Sequence, residues 1–264
     1  MKLKRTLALV LMLTAMVFAC SFAASAAETT EVYVTIANGE VVLAQEPVAV
    51  TDIDSDGALT INDALYCAHE AKFEGGAAAG YGSADSEWGL SLTKLWGVEN
   101  GGSYGYYVNN ASAMGLTDPV KNGDYINAFV YTDLTTWSDA YCYFDVNTLS
   151  VKAGETATLK LVAAGYDEEW NPITVPVAGA SITINGVDTG VVTDENGEAV
   201  VTVKEAGVIS AVSDQQVLVP PVCVAAAESA GLPSYVWYAA GAAVVVIAAA
   251  VAIPVAVVKS KKNK

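Results

Sequence analysis

Residues 52–63, DIDSDGALTIND, combine carboxylates and a glycine at spacings that suit a divalent cation. Asp residues occupy the first, third, fifth and twelfth places, and Gly57 stands at the sixth. Calcium prefers oxygen ligands, and a twelve-residue loop supplies them from positions 1, 3, 5, 7, 9 and 12, with a glycine at position 6 for the sharp turn. The sequence therefore predicts calcium as a cofactor. The predicted ligands are Asp52, Asp54, Asp56, the carbonyl of Ala58, Thr60 and Asp63.

The alternative is an aspartate-rich turn without an ion. Thr60 is a suitable N-cap for a following helix, and Asp63 three residues later completes a capping-box arrangement. That interpretation accounts for Thr60 and Asp63 but not for the alternation of the three earlier aspartates. Four carboxylates within twelve residues repel one another unless a cation lies among them. The spacing therefore favours calcium over an empty turn.

The same residues resemble an EF-hand loop, and in detail a dockerin repeat, where Asp rather than Glu fills the last place. Leu59 at the eighth place matches the apolar residue that such loops turn into the core. A dockerin that binds a cohesin carries two such repeats, and this chain has one. The resemblance thus implies a structural calcium site that joins a strand to a helix.

The elements around the loop predict an α+β domain over residues 28–145, which we call the distal domain. Two alternating runs flank Asn38-Gly39, a sequence typical of a β-hairpin. After the loop, Ile61, Leu65 and Ala68 recur at helical spacing, and Gly75-Gly76 is expected to end the helix. Three further antiparallel strands are expected in LSLTKLWGV, SYGYYVNN and DYINAFVYTD. This order indicates one helix packed on a sheet.

Short motifs in this domain resemble the transcobalamin-like C-terminal (β-grasp-like) domain of bacterial surface proteins. They are Tyr106-Tyr107-Val108-Asn109, Asn122-Gly123-Asp124 and Phe129-Val130-Tyr131. The family has a hairpin, a helix, an aromatic strand ending in Val-Asn, and a Gly-Asp turn before a last aromatic strand. Eukaryotic relatives hold a corrinoid against this domain, so the resemblance implies corrinoid or cofactor capture as one alternative function.

Residues 146–221 show alternating apolar and polar runs about ten residues apart, with Asn185-Gly186 and Asn196-Gly197 at turns. Such spacing predicts an all-β sandwich of antiparallel strands. The segments AGETATLKLVA and TDENGEAVVTVKEAG resemble bacterial immunoglobulin-like repeats, which usually act as spacers. Residues 222–234 directly follow Pro220-Pro221 and contain many small residues. They are predicted to form a stalk.

Both ends of the chain predict export and membrane attachment. Residues 1–27 have the basic, apolar and small-residue order of a signal peptide. Residues 235–258 contain no charged side chain and are long enough for a single transmembrane helix, and the basic tail 259–264 follows the positive-inside rule. The expected location is the cell membrane, single-pass, with the ectodomain outside. Leu232-Pro233 resembles the start of a sortase signal but lacks its Thr-Gly, which favours a simple membrane anchor.

Charge excludes one class of partner. The 29 acidic residues of the chain all lie between the signal peptide and the transmembrane segment, together with only six lysines. Such a surface repels nucleic acid and anionic lipid and attracts cations or basic partners. A nucleic-acid partner is therefore not expected.

The cysteines leave two interpretations open. Cys20 is expected to leave with the signal peptide, with lipidation as the alternative. Cys67 and Cys142 form either a disulfide, which export permits, or two buried free thiols. Cys223 is predicted to lie in the stalk.

No catalytic constellation is recognised. His69 is the sole histidine and is expected at a helix surface or cap, and nucleophile-elbow and phosphate-loop patterns are missing from the sequence. The protein is therefore predicted not to be an enzyme. Aromatic residues are dense in the distal domain: Trp88, Trp96, Tyr104, Tyr106, Tyr107, Tyr131, Trp137, Tyr141 and Tyr143.

Most of these aromatic side chains should be core, but exposed ones would suit a glycan or protein ligand. The leading hypothesis is a calcium-stabilised, membrane-anchored binding or adhesion module with an immunoglobulin-like spacer. The alternative is a purely architectural envelope protein, which burial of Trp88, Trp96 and Trp137 would favour.

Overall fold

The computed structural model describes residues 29–228, and β-strands dominate this range. The chain divides into two compact units, unit 1 up to Thr132 and unit 2 from Asp133. The predicted signal peptide, the transmembrane segment 235–258, the tail 259–264 and the end of the predicted stalk lie outside the described residues. Within residues 29–228, no helix is long and apolar enough to span a membrane.

Unit 1 combines one mixed sheet, one two-stranded sheet and two helices. Its elements are β1 (Glu31–Ala37), β2 (Val41–Ala49), α1 (Ile61–Lys72), α2 (Gly76–Gly80), β3 (Gly82–Ser86), β4 (Gly89–Lys94), β5 (Tyr104–Val108), β6 (Ala111–Ser112) and β7 (Tyr125–Val130). The sheet order is β2-β1-β7-β5-β6, with β1 antiparallel to β2 and parallel to β7. The hairpin at Asn38-Gly39, the helix after the loop and the three later strands are confirmed. Two expectations are wrong: β1 pairs with β7 in parallel rather than antiparallel, and a second short helix, α2, begins at Gly76, where the sequence predicted only the end of a single helix.

The core of unit 1 lies between α1 and one face of this sheet. Alternate residues of β1 and β7 are buried there, as the two-residue period of a strand requires. The helix contributes residues at helical spacing to the same core. The buried positions are Val32, Val34, Ile36, Ile126, Ala128 and Val130 from the strands, and Ile61, Ala64, Leu65 and Ala68 from the helix.

On the opposite face of the sheet, one glycine leaves room for a buried aromatic ring. A Cβ at Gly105 on β5 would collide with the ring of Phe129 on β7, its direct cross-strand neighbour. Phe129 is 2% exposed, so the ring fills the space that a side chain at position 105 would need. Only glycine fits at this place in the strand.

Unit 2 is all β. Its strands are β8 (Ala140–Phe144), β9 (Thr148–Lys152), β10 (Glu155–Tyr166), β11 (Pro172–Pro176), β12 (Ser181–Ile184), β13 (Val187–Val192), β14 (Glu198–Val203), β15 (Gly207–Val212), β16 (Leu218–Val219) and β17 (Cys223–Glu228). One sheet has the order β11-β10-β8-β16, with β14 also paired to β10. The other has the order β13-β12-β15-β17-β9. Buried residues of both sheets, such as Leu161 and Ile182, join in one hydrophobic core.

The division between the units differs from the predicted boundary at 145/146. Strand β8 pairs with β10 and β16, and its Cys142 and Phe144 lie in the core of unit 2. Trp137, Tyr141 and Tyr143 therefore belong to unit 2 and not to the distal domain. The aromatic residues of β8 resemble those of strands β5 and β7 in unit 1, and only the pairing partners of β8 show that it belongs to unit 2.

The first part of the predicted stalk, residues 222–234, is a strand of unit 2. Residues 223–228 form β17, which pairs antiparallel with β15 and parallel with β9. Cys223 and Ala225 point into the core and are 0% and 1% exposed. The strand was missed because its alanines show no contrast between buried and exposed positions, and because alanine is disfavoured in strands.

The described cysteines, Cys67, Cys142 and Cys223, are free thiols. Cys142 donates a hydrogen bond from Sγ to the carbonyl of Val219 at 3.1 Å. Of the two interpretations offered by the sequence, the structure therefore has thiols rather than a Cys67–Cys142 disulfide. Cys67 is half-buried, whereas Cys142 is buried.

Candidate metal centre

The loop 52–63 connects the end of β2 to the start of α1, as the sequence predicted. Asp52, Asp54 and Asp63 each place a carboxylate oxygen so that the three atoms lie within 4.8 Å of one another. Calcium binds oxygen at 2.3–2.6 Å, so two oxygens on one ion lie no more than about 5.2 Å apart. These three carboxylates, which we call the acidic trio, could therefore hold one metal ion.

Asp52 organises the turn of the loop. Its Oδ1 accepts hydrogen bonds from the backbone N–H of Ser55 at 2.6 Å and of Asp56 at 3.3 Å, and its Oδ2 accepts one from Gly57 at 2.9 Å. These donors, Gly57 above all, lower the pKa of Asp52 and keep the carboxylate charged. Gly57 has φ +88°, which explains why a glycine stands at the sixth place.

Asp54 is exposed and has the opposite electrostatic surroundings. Desolvation raises its pKa, and the neighbouring carboxylates of Asp56 and Asp63 act in the same direction. Neither of the two ion pairs among the described residues, Lys72–Glu46 and Lys94–Glu99, reaches the loop. A cation bound by the trio would relieve this repulsion.

Asp63 serves the helix as well as the trio. Its Oδ2 accepts from Thr60 N at 2.8 Å and from Thr60 Oγ1 at 2.6 Å, and its backbone N–H donates back to Thr60 Oγ1 at 3.3 Å. This is a capping box at the N-terminus of α1. Oδ1 of Asp63 accepts from the N–H of Ile53 at 2.9 Å, which closes the loop onto the helix.

The remaining predicted ligands are not part of the trio. The Asp56 carboxylate accepts from the N–H of Ala58 at 2.7 Å and so stabilises the turn. Thr60 is 6% exposed, and its hydroxyl belongs to the capping box. The capping interpretation is thus correct for Thr60 and Asp63, and at Asp63 it coexists with the metal-binding geometry.

The C-terminal end of the loop is held by a neighbouring segment. Thr60 pairs with Pro119 as an isolated bridge, and Val120 N donates to the carbonyl of Leu59 at 2.8 Å. The first N–H groups of α1, from Ile61 and Asn62, donate to carbonyls within residues 116–118. Leu59 packs against the core of unit 1, as the motif predicted. The acidic trio therefore lies where a strand, a helix and a distant segment meet.

His69 occupies a core position that sequence reasoning missed. It is fully buried, where the sequence suggested a surface or cap. Its ring lies 5.1 Å, centroid to centroid, from those of both Tyr81 and Trp96. His69 lies four residues after the buried Leu65 on α1, and this helical spacing indicates a position on the buried face of the helix.

Exposed tryptophans are the other candidate functional feature. Trp88 is 87% exposed at the tip of the β3–β4 hairpin in unit 1, and in unit 2 Trp137 is 64% and Trp170 80% exposed. Trp96, by contrast, packs partly buried against the core of unit 1. Trp170 was not singled out from the sequence, because a tryptophan in an acidic turn has no periodic pattern that indicates its exposure.

Comparisons with protein-family models, with curated proteins and with solved structures found no match to this chain. The resemblances to transcobalamin-like, dockerin and immunoglobulin-like domains stay predictions from sequence.

Proposed function

We propose that this protein is a non-catalytic binding or adhesion module of the cell surface. In this proposal, calcium bound by the acidic trio stabilises unit 1, which presents the ligand-binding side chains. Unit 2 acts as an immunoglobulin-like spacer, and residues 235–258 anchor the chain in the membrane. The expected ligand is an extracellular glycan or protein.

The exposure of Trp88 is the observation that carries the proposal. A tryptophan buries about 150–250 Å² when it is covered, and leaving that apolar area in water is unfavourable. The hairpin leaves Trp88 exposed. Strands β3 and β4 pair up to Ser86 and Gly89, and the two-residue turn Glu87-Trp88 extends beyond this last pair. A planar apolar side chain in this position suits stacking on a sugar face or insertion into a pocket of a protein.

Hydrogen bonds of Ser86 stabilise the turn at the tip. Ser86 Oγ accepts from the N–H of Trp88 at 3.1 Å and donates to the carbonyl of Gly89 at 2.8 Å. Leu90 and Leu92 of β4 pack into the core of unit 1 and fix the base of the hairpin. Preorganisation of this kind lowers the entropic cost of binding.

In this proposal, calcium stabilises the fold of unit 1, which carries Trp88. The acidic trio ties the end of β2 to the start of α1, and α1 packs on the sheet that supports the rest of unit 1. Extracellular sites need only bind calcium with dissociation constants of about 10⁻⁴–10⁻³ M. Calcium would therefore act on ligand binding indirectly, by keeping unit 1 folded.

The test is a screen of the full chain on glycan and extracellular-protein arrays, in the presence and absence of calcium. We expect a ligand whose binding is lost in Trp88→Ala, weakened by a calcium chelator, and unchanged in Trp170→Ala, the matched exposed tryptophan of unit 2. Trp88→Ala should keep the wild-type melting temperature because the side chain is exposed. Array binding that Trp88→Ala leaves intact would contradict the role of Trp88, and no binding on either array would favour an architectural role.

A further inference from the structure

The β10–β11 hairpin of unit 2 carries a second exposed aromatic surface. We call residues 162–176 the arm. At its tip, Tyr166 is 55% and Trp170 80% exposed, and their ring centroids lie 6.1 Å apart with an interplanar angle of 46°. All five residues of β11 are exposed as well. The two rings are therefore accessible on a projecting hairpin, and neither contributes to the core of unit 2.

The loop between the strands holds Trp170 in place. The Asp167 carboxylate accepts from the N–H of Asn171 at 2.8 Å, from Asn171 Nδ2 at 3.0 Å and from the N–H of Glu169 at 3.0 Å. The N–H of Trp170 donates to the carbonyl of Asp167 at 3.1 Å. Trp170 itself has φ +63°, an unfavourable conformation for a bulky residue. A strained backbone that displays an apolar ring to solvent is typical of a functional position.

Negative charge surrounds the ring pair. Glu168 and Glu169 are exposed in the same turn, directly before Trp170. Both described ion pairs lie in unit 1, so within residues 133–228 no ion pair neutralises them. The described part of unit 2 has only three lysines against a large excess of Asp and Glu: Lys152, Lys160 and Lys204. Aromatic faces beside carboxylates attract cations, through the ring quadrupole at contact and through the field at longer range.

The edge of β11 argues against a partner that adds a strand, including a second copy of this chain. Val177 N donates inward to the carbonyl of Leu161 at 3.0 Å, so by the two-residue period of a strand the amides of Ile173 and Val175 also point towards β10. The outward amide positions are then 172, 174 and 176, of which two are proline and have no N–H. Prolines on an edge strand block pairing in this way.

We propose that the tip of the arm, Tyr166 to Trp170, binds a lysine- or arginine-rich segment of a partner protein. The cationic head group lies against the rings of Tyr166 and Trp170, and Glu168 and Glu169 attract the segment and hold its flanking charges. This assigns a binding site to unit 2, which the sequence predicted to be a spacer. The assignment is independent of the role proposed for Trp88.

The test measures binding of a fluorescent oligolysine peptide to the full chain by anisotropy, at low and at high salt. We expect saturable binding that weakens with salt, as interactions between exposed charges do. Trp170→Ala should weaken it roughly two- to fivefold, the range of an exposed cation–π contact. Trp170→Phe should retain part of the affinity. The matched control, Trp88→Ala, should bind like the wild type. The double variant Glu168→Gln/Glu169→Gln should bind less tightly and with a weaker dependence on salt.

Three results would overturn the assignment. The first is binding that Trp170→Ala and Trp88→Ala affect equally, because it would show diffuse attraction to an acidic surface. The second is no saturable binding at low salt. The third is complete competition by tetramethylammonium, since the site would then recognise a small quaternary cation rather than a polypeptide. Melting temperatures of all variants establish that each is folded. If Trp170→Ala fails to fold, Glu168→Gln/Glu169→Gln still tests whether the peptide binds at the tip of the arm.

Discussion

His69 Nε2 accepts a hydrogen bond from the backbone N–H of Trp96 at 2.9 Å. Its other ring nitrogen, Nδ1, lies 2.6 Å from the carbonyl of Leu65, to which it donates. The imidazole is therefore neutral with its proton on Nδ1, and it links α1 to the segment after β4. Both nitrogens are occupied, so a second proton would have to displace the N–H of Trp96.

This arrangement predicts a pH dependence of folding. Burial lowers the pKa of His69 below its ordinary value of 6.5. The stabilisation is therefore complete above pH 6.5 and is lost as the pH falls from there through the lowered pKa of the folded protein. His69 is the sole histidine. We expect the free energy of unfolding to fall by up to about 1.4 kcal/mol per pH unit in this window.

Denaturant unfolding between pH 7.5 and 5 measures the effect, with His69→Phe as the comparison. The phenylalanine keeps an aromatic ring but does not titrate, so the part of the slope due to His69 should disappear. An equal slope in both proteins would show that carboxylates alone produce it.

Calcium should stabilise the protein through Asp54. At ten to a hundred times a dissociation constant, a ligand specific for the folded state adds about 1.4–2.7 kcal/mol to the free energy of unfolding. We expect such an increase for wild type in calcium and none for Asp54→Ala. Without calcium, the melting temperature of Asp54→Ala should not fall, because its carboxylate lies among like charges. Thermal melts with calcium and with chelator measure this.

The control for Asp54 is Asp85→Ala, an exposed aspartate of β3 outside the loop. It should respond to calcium as the wild type does. A calcium-dependent shift that survives in Asp54→Ala, or no shift in the wild type, would remove the metal site from the proposal.

Thr60 should contribute to stability whether or not calcium is present. Its hydroxyl accepts from the N–H of Asp63 and donates to the Asp63 carboxylate in the capping box. Loss of an N-cap of this kind costs about 1 kcal/mol. We expect Thr60→Ala to lower the free energy of unfolding by that amount in both calcium and chelator, and Thr60→Ser to restore most of it. An effect confined to calcium-containing buffer would instead identify Thr60 as a ligand.

Gly105 should tolerate no side chain. The ring of Phe129 occupies the place of a Cβ at this position, and overpacking of a core costs about 1–3 kcal/mol. We expect Gly105→Ala to lower the free energy of unfolding by that amount. Gly115→Ala is the control, because its nearest neighbour would be Thr117 Oγ1 at 3.8 Å, an ordinary contact. Equal stability of the two variants would contradict this packing.

The thiols should differ in reactivity. Burial raises the pKa of both Cys142 and Cys223 to about 12, so neither forms a thiolate at pH 8. Cys67 is only half-buried. We expect a maleimide to label Cys67 in the native protein, and Cys142 and Cys223 only after denaturation, as mapped by peptide mass spectrometry. Native labelling of Cys223 at the rate of Cys67 would agree with the predicted stalk and not with β17.

Local pattern was sufficient for elements whose side chains contrast clearly. The hairpin at Asn38-Gly39, the helix that carries Leu65 and the turn at Asn185-Gly186 were all predicted, because turn residues and hydrophobic period are properties of adjacent residues. β17 lacked that contrast, and β8 resembled strands of the wrong unit. The parallel partner of β1 lies about ninety residues away in the chain, and no local pattern specifies it.

By itself, the sequence determined the position of the candidate metal site, between a hairpin and a helix, because calcium ligands in such a loop follow a fixed local spacing. The tertiary structure decided which side chains converge: it gathers Asp52, Asp54 and Asp63, and it turns Asp56 and Thr60 to hydrogen bonds of the backbone and the helix cap. It also decided that His69 is buried while Trp88 and Trp170 are exposed. Burial depends on which distant strands and segments cover a side chain, and that coverage arises only when the chain folds.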